Sequence, residues 1–426
     1  MITAFNERIL PLRVLRHRSF ALMWTGQSIS TLGDGIYRVA LAWTVLVLTG
    51  SALAMGTVYL ASLIPTITLT LVGGVAADRL PRRLILLWSD GGRGMIVALV
   101  AGLALGHLLS YWHLLVLSLL FGVADGFFMP SYQAIIPQLV EGESLQSANA
   151  LMQSSTELCR ILGPVVGASL LAATASVSLS FVLDAASFFV SVGCLLALHL
   201  PPAAEPATET DSVSQDAPEH TPGGIVADIR EGLRYVRGQR WLWITIVVAA
   251  ITNICYSVPL AAVLPKLVAD FYHAGAGLFG LLVSADAAGY LVATLLMLFV
   301  HPHRRGIAAY GLVSVSWLGL IALGLPFPRA SETAVALIAC MCVGFGIGVF
   351  TVIEVSLIQE LVPERLLGRV LSTDMVGSYL LLPIGLVTVG WVADQIGPAP
   401  IFVTGGVFSL LLTVIGLCVR DIRRLE

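Results

Sequence analysis

The chain has 426 residues, of which 57% are hydrophobic and 12% charged, with a formal net charge of −3 at pH 7 and a mean hydropathy of +0.91. A soluble domain carries about a quarter charged residues, so this composition excludes an ordinary soluble protein and indicates a membrane protein. The small net charge gives no indication of a nucleic-acid partner, and the six cysteines lie in apolar runs without zinc-site or redox spacing.

Twelve apolar segments are long enough to cross a membrane, because a spanning helix needs roughly 20 apolar residues. Numbered as spans 1 to 12, they cover residues 19–48, 51–77, 84–108, 113–137, 148–174, 178–199, 239–268, 275–300, 306–325, 332–358, 368–393 and 400–420. The predicted fold is therefore an all-α membrane protein with twelve transmembrane helices.

The arginines indicate the orientation of these spans. They concentrate in the N-terminal arm, after spans 2, 8 and 10, before span 7 and in the C-terminal tail, whereas the alternate loops carry almost no charge. Because cytoplasmic loops are enriched in Lys and Arg, both termini are predicted to be cytoplasmic. No small-residue cleavage site follows span 1, so this span is expected to be retained.

A polar stretch over residues 199–224 is rich in Pro, Ala, Thr, Glu and Asp and predicts a disordered linker. After it, Ile225, Ile229, Leu233 and Val236 recur at helical spacing and predict an amphipathic helix on the cytoplasmic membrane surface. The predicted domains are a six-helix bundle over 1–199, this linker and helix over 200–238, and a second six-helix bundle over 239–426.

The two predicted bundles repeat each other at an offset of 222 residues. This offset carries Arg82-Arg83 onto Arg304-Arg305, Gly163 onto Gly385, and Leu139-Val140 onto Leu361-Val362. Agreement at three separate places predicts two parallel repeats of six helices.

The loop between spans 2 and 3 carries a charged motif at fixed spacing, formed by Gly74, Asp78, Arg79, Arg82 and Arg83. It resembles the loop between helices 2 and 3 of the major facilitator superfamily, Gly-x-x-x-Asp-Arg-x-Gly-Arg-Arg/Lys, with proline in place of the second glycine. The resemblance implies two six-helix bundles and a cytoplasmic latch between them. In this latch, Asp78 is expected to accept backbone hydrogen bonds at the start of span 11, near Gly368 and Arg369.

The chain also resembles, over nearly its whole length, the bacterial branch of that superfamily that contains macrolide exporters and the enterobactin exporter. Gly33-Asp34-Gly35 in span 1 is similar to the helix-1 Gly-Asp of this branch. Gly163-Pro164-Val165-Val166-Gly167 in span 5 is similar to a motif of exporters that exchange substrate for protons. The resemblance implies the cytoplasmic membrane of a prokaryote, a proton gradient as the energy source, and no cofactor.

Charged groups inside a span call for an explanation, because each costs at least about 2.5 kcal/mol at membrane depth. Gln27, Thr31, Asp34 and Arg38 form one stripe on span 1. Either Asp34 and Arg38 neutralise each other, or they line the central cavity and contact substrate or the coupling ion. Asp125 in span 4 has no basic residue within a helical turn, so it is a candidate proton carrier, with a structural hydrogen bond as the alternative.

Span 5 carries Gln153, Glu157 and Arg160 at helical spacing, followed by the glycine-proline motif 163–167. Glu157 and Arg160 are interpreted first as a structural pair. Gly163, Pro164 and Gly167 provide a small-residue packing face and a kink. Helix packing alone explains this motif, so the motif does not by itself require proton exchange.

The second half offers further polar candidates. Asn253 and Tyr256 lie in span 7, and Asp286 and Tyr290 lie one turn apart in span 8. Glu354 in span 10 is a candidate for substrate or proton coupling. By the span bounds, Glu354 and Asp374 also lie towards the cytoplasmic ends, where gating pairs are expected.

Three aromatic residues, Phe128, Tyr132 and Tyr256, are candidates for an apolar cavity wall. Three other acids, Asp184, Asp270 and Asp394, lie near predicted span ends and are expected to be solvated or to cap helices.

These features together predict proton-coupled export of small amphipathic or hydrophobic compounds by alternating access. The expected partners are a small-molecule substrate, protons and membrane lipids, and the chain is expected to act as a monomer. One alternative is uptake or lipid translocation on the same fold. A membrane sensor or enzyme is the other alternative, but the sequence has no Gly-x-Ser-x-Gly, His-Glu-x-x-His or phosphate-binding loop, so neither an enzyme nor a metal site is expected.

Overall fold

The computed structural model describes residues 14–140, 144–174, 176–198, 224–300 and 302–425, with side chains except at 71, 78, 224–229, 364 and 365. Twelve helices in these ranges are long and apolar enough to cross a membrane, and each overlaps one predicted span. The prediction of an all-α protein with twelve transmembrane helices is confirmed. The predicted linker over 199–223 lies outside the described residues.

Fifteen α-helices follow a short 3-10 turn at Val14–Arg16. The first six are α1 Arg18–Thr49, α2 Ala52–Arg79, α3 Arg82–Leu105, α4 Tyr111–Leu139, α5 Ser144–Thr174 and α6 Val177–Ala197. A shorter helix, α7 Gly224–Gly238, precedes α8, which spans Arg240–Phe271. The last seven are α9 Ala276–Met297, α10 Arg305–Leu323, α11 Arg329–Leu361, α12 Glu364–Tyr379, α13 Leu382–Ile396, α14 Pro398–Cys418 and α15 Arg420–Arg423.

Prolines shape two of the spans. Pro259 has no amide hydrogen to donate, and at this residue α8 changes to π-helical geometry over Pro259–Val263. Span 11 is broken between the end of α12 at Tyr379 and the start of α13 at Leu382, which is one residue before Pro383. These irregular segments lie where α8 and α13 approach α2 of the first half.

Glycines at the 222-residue offset make the same packing contact in both halves. Gly122 and Gly126 of α4 lie directly against the backbone of α2. Their repeat mates Gly344 and Gly348 of α11 lie in the same way against the backbone of α9. A side chain at any of these positions would hold the helix pairs apart, so the small-residue faces set how closely they pack.

The chain direction gives the bundle two distinct ends. The basic end carries Arg82, Arg305 and Arg369 together with both described termini. The opposite end, called the far end, carries Gly50 and Asp394. The closest contacts between the first six spans and the last six involve residues near the far end, where α5 meets α9 and α2 meets α13.

Helix α7 corresponds to the predicted amphipathic helix, and it packs on the protein. Val236 is only 3% exposed, and Gly232 lies against Arg369 and Thr373 of α12. The carboxylate of Glu231 also pairs with the guanidinium of Arg369. One face of α7 is therefore held by α12, while Leu233 is left 48% exposed.

Replacing Gly344 with alanine is expected to lower the melting temperature of the detergent-solubilised protein. The added Cβ would overlap the carbonyl oxygen of Asp286, and overpacking of this kind costs about 1–3 kcal/mol. Gly311→Ala on α10 is the matched control, because nothing lies within 4 Å of its added Cβ. Equal melting of the two variants would contradict the proposed packing role.

Candidate functional site: two charged cavities

The first cavity, of about 270 Å³, lies among α1 to α4 of the first half. Four charged side chains line it: Asp34, Arg38, Arg93 and Asp125. Asp34 and Arg38 of the stripe predicted on span 1 therefore face a cavity, whereas Gln27 of the same stripe donates to Asp90 and Ser191. Arg38 donates from Nε to the main-chain oxygen of Asp34 at 3.3 Å, so its described hydrogen bond is not to the Asp34 carboxylate.

Arg93 of α3 is the centre of the charges in this half. It is 4% exposed, contacts the carboxylate of Asp90 and donates from Nη1 to Oδ1 of Asp125 at 3.1 Å. The other oxygen of Asp90 accepts hydrogen bonds from Gln27 at 3.2 Å and from Ser191 at 2.6 Å. A buried arginine therefore holds two carboxylates from α3 and α4 through its Nη atoms, while its Nε is buried without a hydrogen-bond partner among the described residues.

Asp125 has no basic residue within a helical turn of α4, but it does have a basic partner, which agrees with the structural alternative. Its partner Arg93 lies 32 residues earlier on a different helix, outside the reach of spacing along one span. Thr66 of α2 also lies 3.5 Å from the second oxygen of Asp125.

Arg93 and Asp90 were missed, although the signal was present in the sequence. Asp90 and Arg93 are opposite charges three residues apart in the middle of span 3. A charged group inside a span is costly there, which is the reason that Asp34 was chosen as a candidate.

Phe128 and Tyr132 lie beside this network. Their rings stack at 5.3 Å, and the guanidinium carbon of Arg93 lies 4.1 Å from the Phe128 ring centroid. Phe128 is 7% exposed. Phe128 therefore makes a cation–π contact with Arg93, and a cavity wall formed by these two rings stays a prediction.

Asp184 of α6 is fully buried, so the expectation of a solvated or capping acid is wrong. Its Oδ1 lies 3.4 Å from the hydroxyl of Ser187, and both side chains occupy the space beside Gly33. The glycine before Asp34 thus allows α1 to approach α6.

The second cavity, of about 380 Å³, lies among the helices of the second half and is lined by one residue of the first half, Arg160. Its acids are Asp286 of α9, Glu354 of α11 and Asp374 of α12. Each has a buried oxygen without a hydrogen-bond partner among the described residues. This cavity therefore combines three carboxylates that each keep one unpaired oxygen among the described residues, with the guanidinium of Arg160 in the same lining.

Oε1 of Glu354 and Oδ1 of Asp374 have no hydrogen-bond partner among the described residues, so the gating pairs expected from their span positions stay a prediction. Both point into the cavity that Tyr256 and Tyr290 line, which places them with the substrate-site candidates. The span bounds predict how deep Glu354 and Asp374 lie in the membrane, but not how α11 and α12 are rotated about their axes. Asn253 lines the same cavity and donates to the carbonyl of Ser378 at 2.9 Å.

The span-5 motif packs α5 against both halves. Gly163 faces Gly35 of α1, where an added Cβ would lie 2.7 Å from the Gly35 Cα. Gly167 faces Ile36, and the Pro164 carbonyl lies beside Gly280 of α9.

The expected Glu157–Arg160 pair on α5 is present, with Nη1 and Oε2 3.4 Å apart. Gln153 donates to the same carboxylate at 3.1 Å. Arg160 also extends towards α9, where its guanidinium carbon lies 5.8 Å from the Tyr290 ring centroid.

The arginines of the span 2–3 loop bind helix ends within the first half. Arg82 donates to the Ala134 carbonyl at 2.6 Å, and Arg83 donates to the carbonyls of Leu195 and Leu196 at 2.7 and 2.6 Å. These bonds satisfy carbonyls at or near the C-terminal ends of α4 and α6.

Three other positions of the motif bear on the predicted latch. Arg79 is exposed in the last turn of α2. Added Cβ atoms at Gly74 and Gly368 would meet nothing within 4 Å. The Asp78 side chain lies outside the described residues, so a latch through Asp78 stays a prediction.

A clasp joins the two halves at the far end. The carboxylate of Asp394 accepts hydrogen bonds from the Ser51 hydroxyl at 2.5 Å and from the amides of Ala52 and Leu53 at 2.8 and 3.1 Å. Lys266 of α8 donates to Asp394 at 2.8 Å and to the Gly50 carbonyl at 2.7 Å. The expectation of a capping acid thus holds for Asp394, but the helix it caps, α2, belongs to the other half.

The family model for transmembrane secretion effectors matches residues 9–426 of the chain. The chain belongs to this family of major facilitator transporters. The transporter is 22% identical over 411 residues to macrolide efflux protein A of Streptococcus pyogenes, covering 96% of this chain and 97% of that protein. It is 29% identical over 375 residues to the multidrug efflux pump Tap of Mycobacterium tuberculosis, covering 86% and 84%.

Solved structures show the same fold for the transporter. The nucleoside transporter NupG superposes with a TM-score of 0.73 at 11% identity, covering 96% of this chain and 100% of that one. An inward-facing bacterial homologue of ferroportin gives a TM-score of 0.66 at 16% identity, covering 94% and 98%. The resemblance to the major facilitator superfamily is confirmed, and the chain is a multi-pass transporter of the bacterial cell membrane, not an enzyme.

Arg93→Gln is expected to destabilise the transporter strongly, because it leaves the carboxylates of Asp90 and Asp125 without their counter-charge. Breaking a buried pair costs about 3–5 kcal/mol, which a melting experiment in detergent detects. Arg93→Lys should recover part of the loss. Arg305→Gln, which breaks a more exposed pair with Glu360, is the control and should melt close to wild type. Wild-type melting of Arg93→Gln would contradict the structural role.

Proposed function

We propose that the transporter exports small amphipathic or hydrophobic compounds from the cytoplasm in exchange for protons. The names of the relatives support the direction, since macrolide efflux protein A and the pump Tap are both efflux proteins by name. The arginine-rich loops support cytoplasmic termini, which makes the basic end the inner end. The transporter acts as a monomer with the membrane as its surroundings.

The observation that carries the proton-coupling proposal is the second cavity with its three acids. Asp286, Glu354 and Asp374 each keep a buried oxygen without a partner among the described residues. A carboxylate in such surroundings is stabilised by taking up either a proton or a positively charged ligand. Asp34 and Asp125 lie close to Arg38 and Arg93, so they are less suited to carry the exchanged proton.

Alternating access follows from where the halves touch. The far-end clasp and the α5–α9 contact lie beyond the second cavity, seen from the basic end. In this state, compounds reach the cavity from the cytoplasm. Opening of the clasp would expose the acids to the outside, where protons replace the compound, and closing would return the protonated carrier.

Transport in proteoliposomes tests the proposal, with ethidium and erythromycin as probes. An acidic lumen should accelerate uptake of both compounds into the vesicles, and a protonophore should abolish the acceleration, because proton flow out of the lumen drives the exchange. Glu354→Gln and Asp374→Asn should each lose most of the response to the gradient.

Two other variants locate the coupling in one half. Asp34→Asn and Asp125→Asn should still respond to the gradient, whatever their absolute rates, since the exchanged proton is assigned to the second half. Uptake that ignores the gradient in the native protein would contradict proton coupling. A response lost in Asp34→Asn but kept in Glu354→Gln would move the coupling site to the first cavity.

A further inference from the structure

One face of α7 carries three exposed arginines. Arg230, Arg234 and Arg237 follow each other at intervals of four and three residues, so they lie on the same side of the helix. Leu233 lies beside them and is 48% exposed. None of the three guanidinium groups has a hydrogen bond or an ion pair with another described residue. These four residues, called the arginine face, combine three positive charges with one apolar side chain.

The opposite face of α7 is occupied by α12. Gly232 lies against Arg369 and Thr373, and Val236 is only 3% exposed. The carboxylate of Glu231, the one acid among the described side chains of α7, pairs with the guanidinium of Arg369. These contacts fix the rotation of α7, so the arginine face points away from the bundle.

Two neighbouring spans place α7 at the membrane surface. It ends at Gly238, two residues before the spanning helix α8 begins at Arg240. In the first turn of α8, Trp243 is 40% exposed, and tryptophan is enriched where membrane and water meet. The hydroxyl of Tyr235 donates at 3.3 Å to the carbonyl of Leu361, at the end of the spanning helix α11. The arginine face therefore lies at the depth of lipid headgroups.

The chemistry of the arginine face fits an anionic phospholipid. Guanidinium groups bind phosphate oxygens through charge-assisted hydrogen bonds. Arginines clustered next to a spanning helix are attracted to the anionic lipids of the cytoplasmic leaflet. Leu233 adds a contact that an acyl chain can use and a free phosphate ion cannot. A lipid thus accounts for both the charged and the apolar part of this face.

We propose that the arginine face of α7 binds the headgroups of anionic phospholipids, and that the bound lipid holds α7 against the basic end of α12. The pair between Glu231 and Arg369 transmits the effect from one helix to the other. Helix α12 also contributes Asp374 to the second cavity, five residues after Arg369. The lipid therefore acts on a helix that lines this cavity.

Native mass spectrometry of the purified transporter tests the binding step, with dioleoylphosphatidylglycerol as the anionic probe. Dioleoylphosphatidylcholine, which has the same acyl chains and no net charge, is the matched probe. The wild type should bind the anionic lipid more tightly than the neutral one. The triple variant Arg230→Gln, Arg234→Gln, Arg237→Gln should bind the anionic lipid about tenfold more weakly, because three charge contacts are lost. Its binding of the neutral lipid should not change, which also shows that it is folded.

A second triple variant at the same end of the molecule is the control. Arg420, Arg423 and Arg424 are exposed in the C-terminal tail, and replacing all three with glutamine removes the same charge. This variant should bind both lipids like the wild type. An equal loss of anionic-lipid binding in the two triple variants would overturn the inference, since it would show a diffuse charge effect without a site on α7. Displacement of the lipid by inorganic phosphate would also overturn it.

Hydrogen exchange of the transporter in lipid nanodiscs tests the step from α7 to α12. Nanodiscs of phosphatidylglycerol should slow amide exchange in α7 and in the first two turns of α12, compared with phosphatidylcholine. Glu231→Ala should still bind phosphatidylglycerol but lose the slower exchange in α12. Slower exchange in α12 that persists in Glu231→Ala, or that is absent in the wild type, would contradict the proposed link.

Discussion

The carboxylate of Asp394 is the contact on which the rest of the transporter's arrangement depends. It accepts hydrogen bonds from the amides of Ala52 and Leu53 at the start of α2, which have no partner within their own helix, and it also binds the ammonium of Lys266. The amide donors belong to the first half and the carboxylate to the second, and Lys266 also donates across to the Gly50 carbonyl, so the clasp joins the two halves at the far end. The cavity with the three acids lies between this clasp and the basic end.

The two halves share their packing but differ in how they treat buried charge. Gly122 and Gly344, one repeat apart, pack in the same way against α2 and α9. The repeat mates of Asp286, Glu354 and Asp374, in contrast, are Ile64, Tyr132 and Met152. Among the described residues, Arg93 pairs with two acids of the first half, whereas each of the three acids of the second cavity keeps one buried oxygen without a hydrogen-bond partner. The repeat thus gives both halves the same helix packing. We propose that the charged residues of the first half stabilise the fold and that those of the second half bind ligands.

The sequence predicted the spans well because apolar length and arginine-rich loops are properties of single segments. Contacts between segments were harder to predict. Asp125 meets Arg93 on a different helix, and Asp394 caps a helix that begins more than 340 residues earlier. Helical spacing relates residues within one helix, so it does not predict contacts between residues so far apart in the sequence. The span bounds placed Glu354 and Asp374 towards the cytoplasmic ends, where gating pairs are expected, because span bounds predict the depth of a residue but not the rotation of its helix. Asp90 and Arg93, by contrast, were predictable from charge inside a span.

Double electron–electron resonance on a cysteine-free background tests most directly whether the Asp394 clasp holds the far end closed. Spin labels at Leu108 and Leu325, both exposed at the far end, report the distance between the halves there. Labels at Leu84 and Leu361, both exposed, report the basic end. Asp394→Asn should shift the far-end pair to longer distances and the basic-end pair to shorter ones. Glu360→Gln should change neither. Unchanged distances at both ends in Asp394→Asn would contradict the clasp.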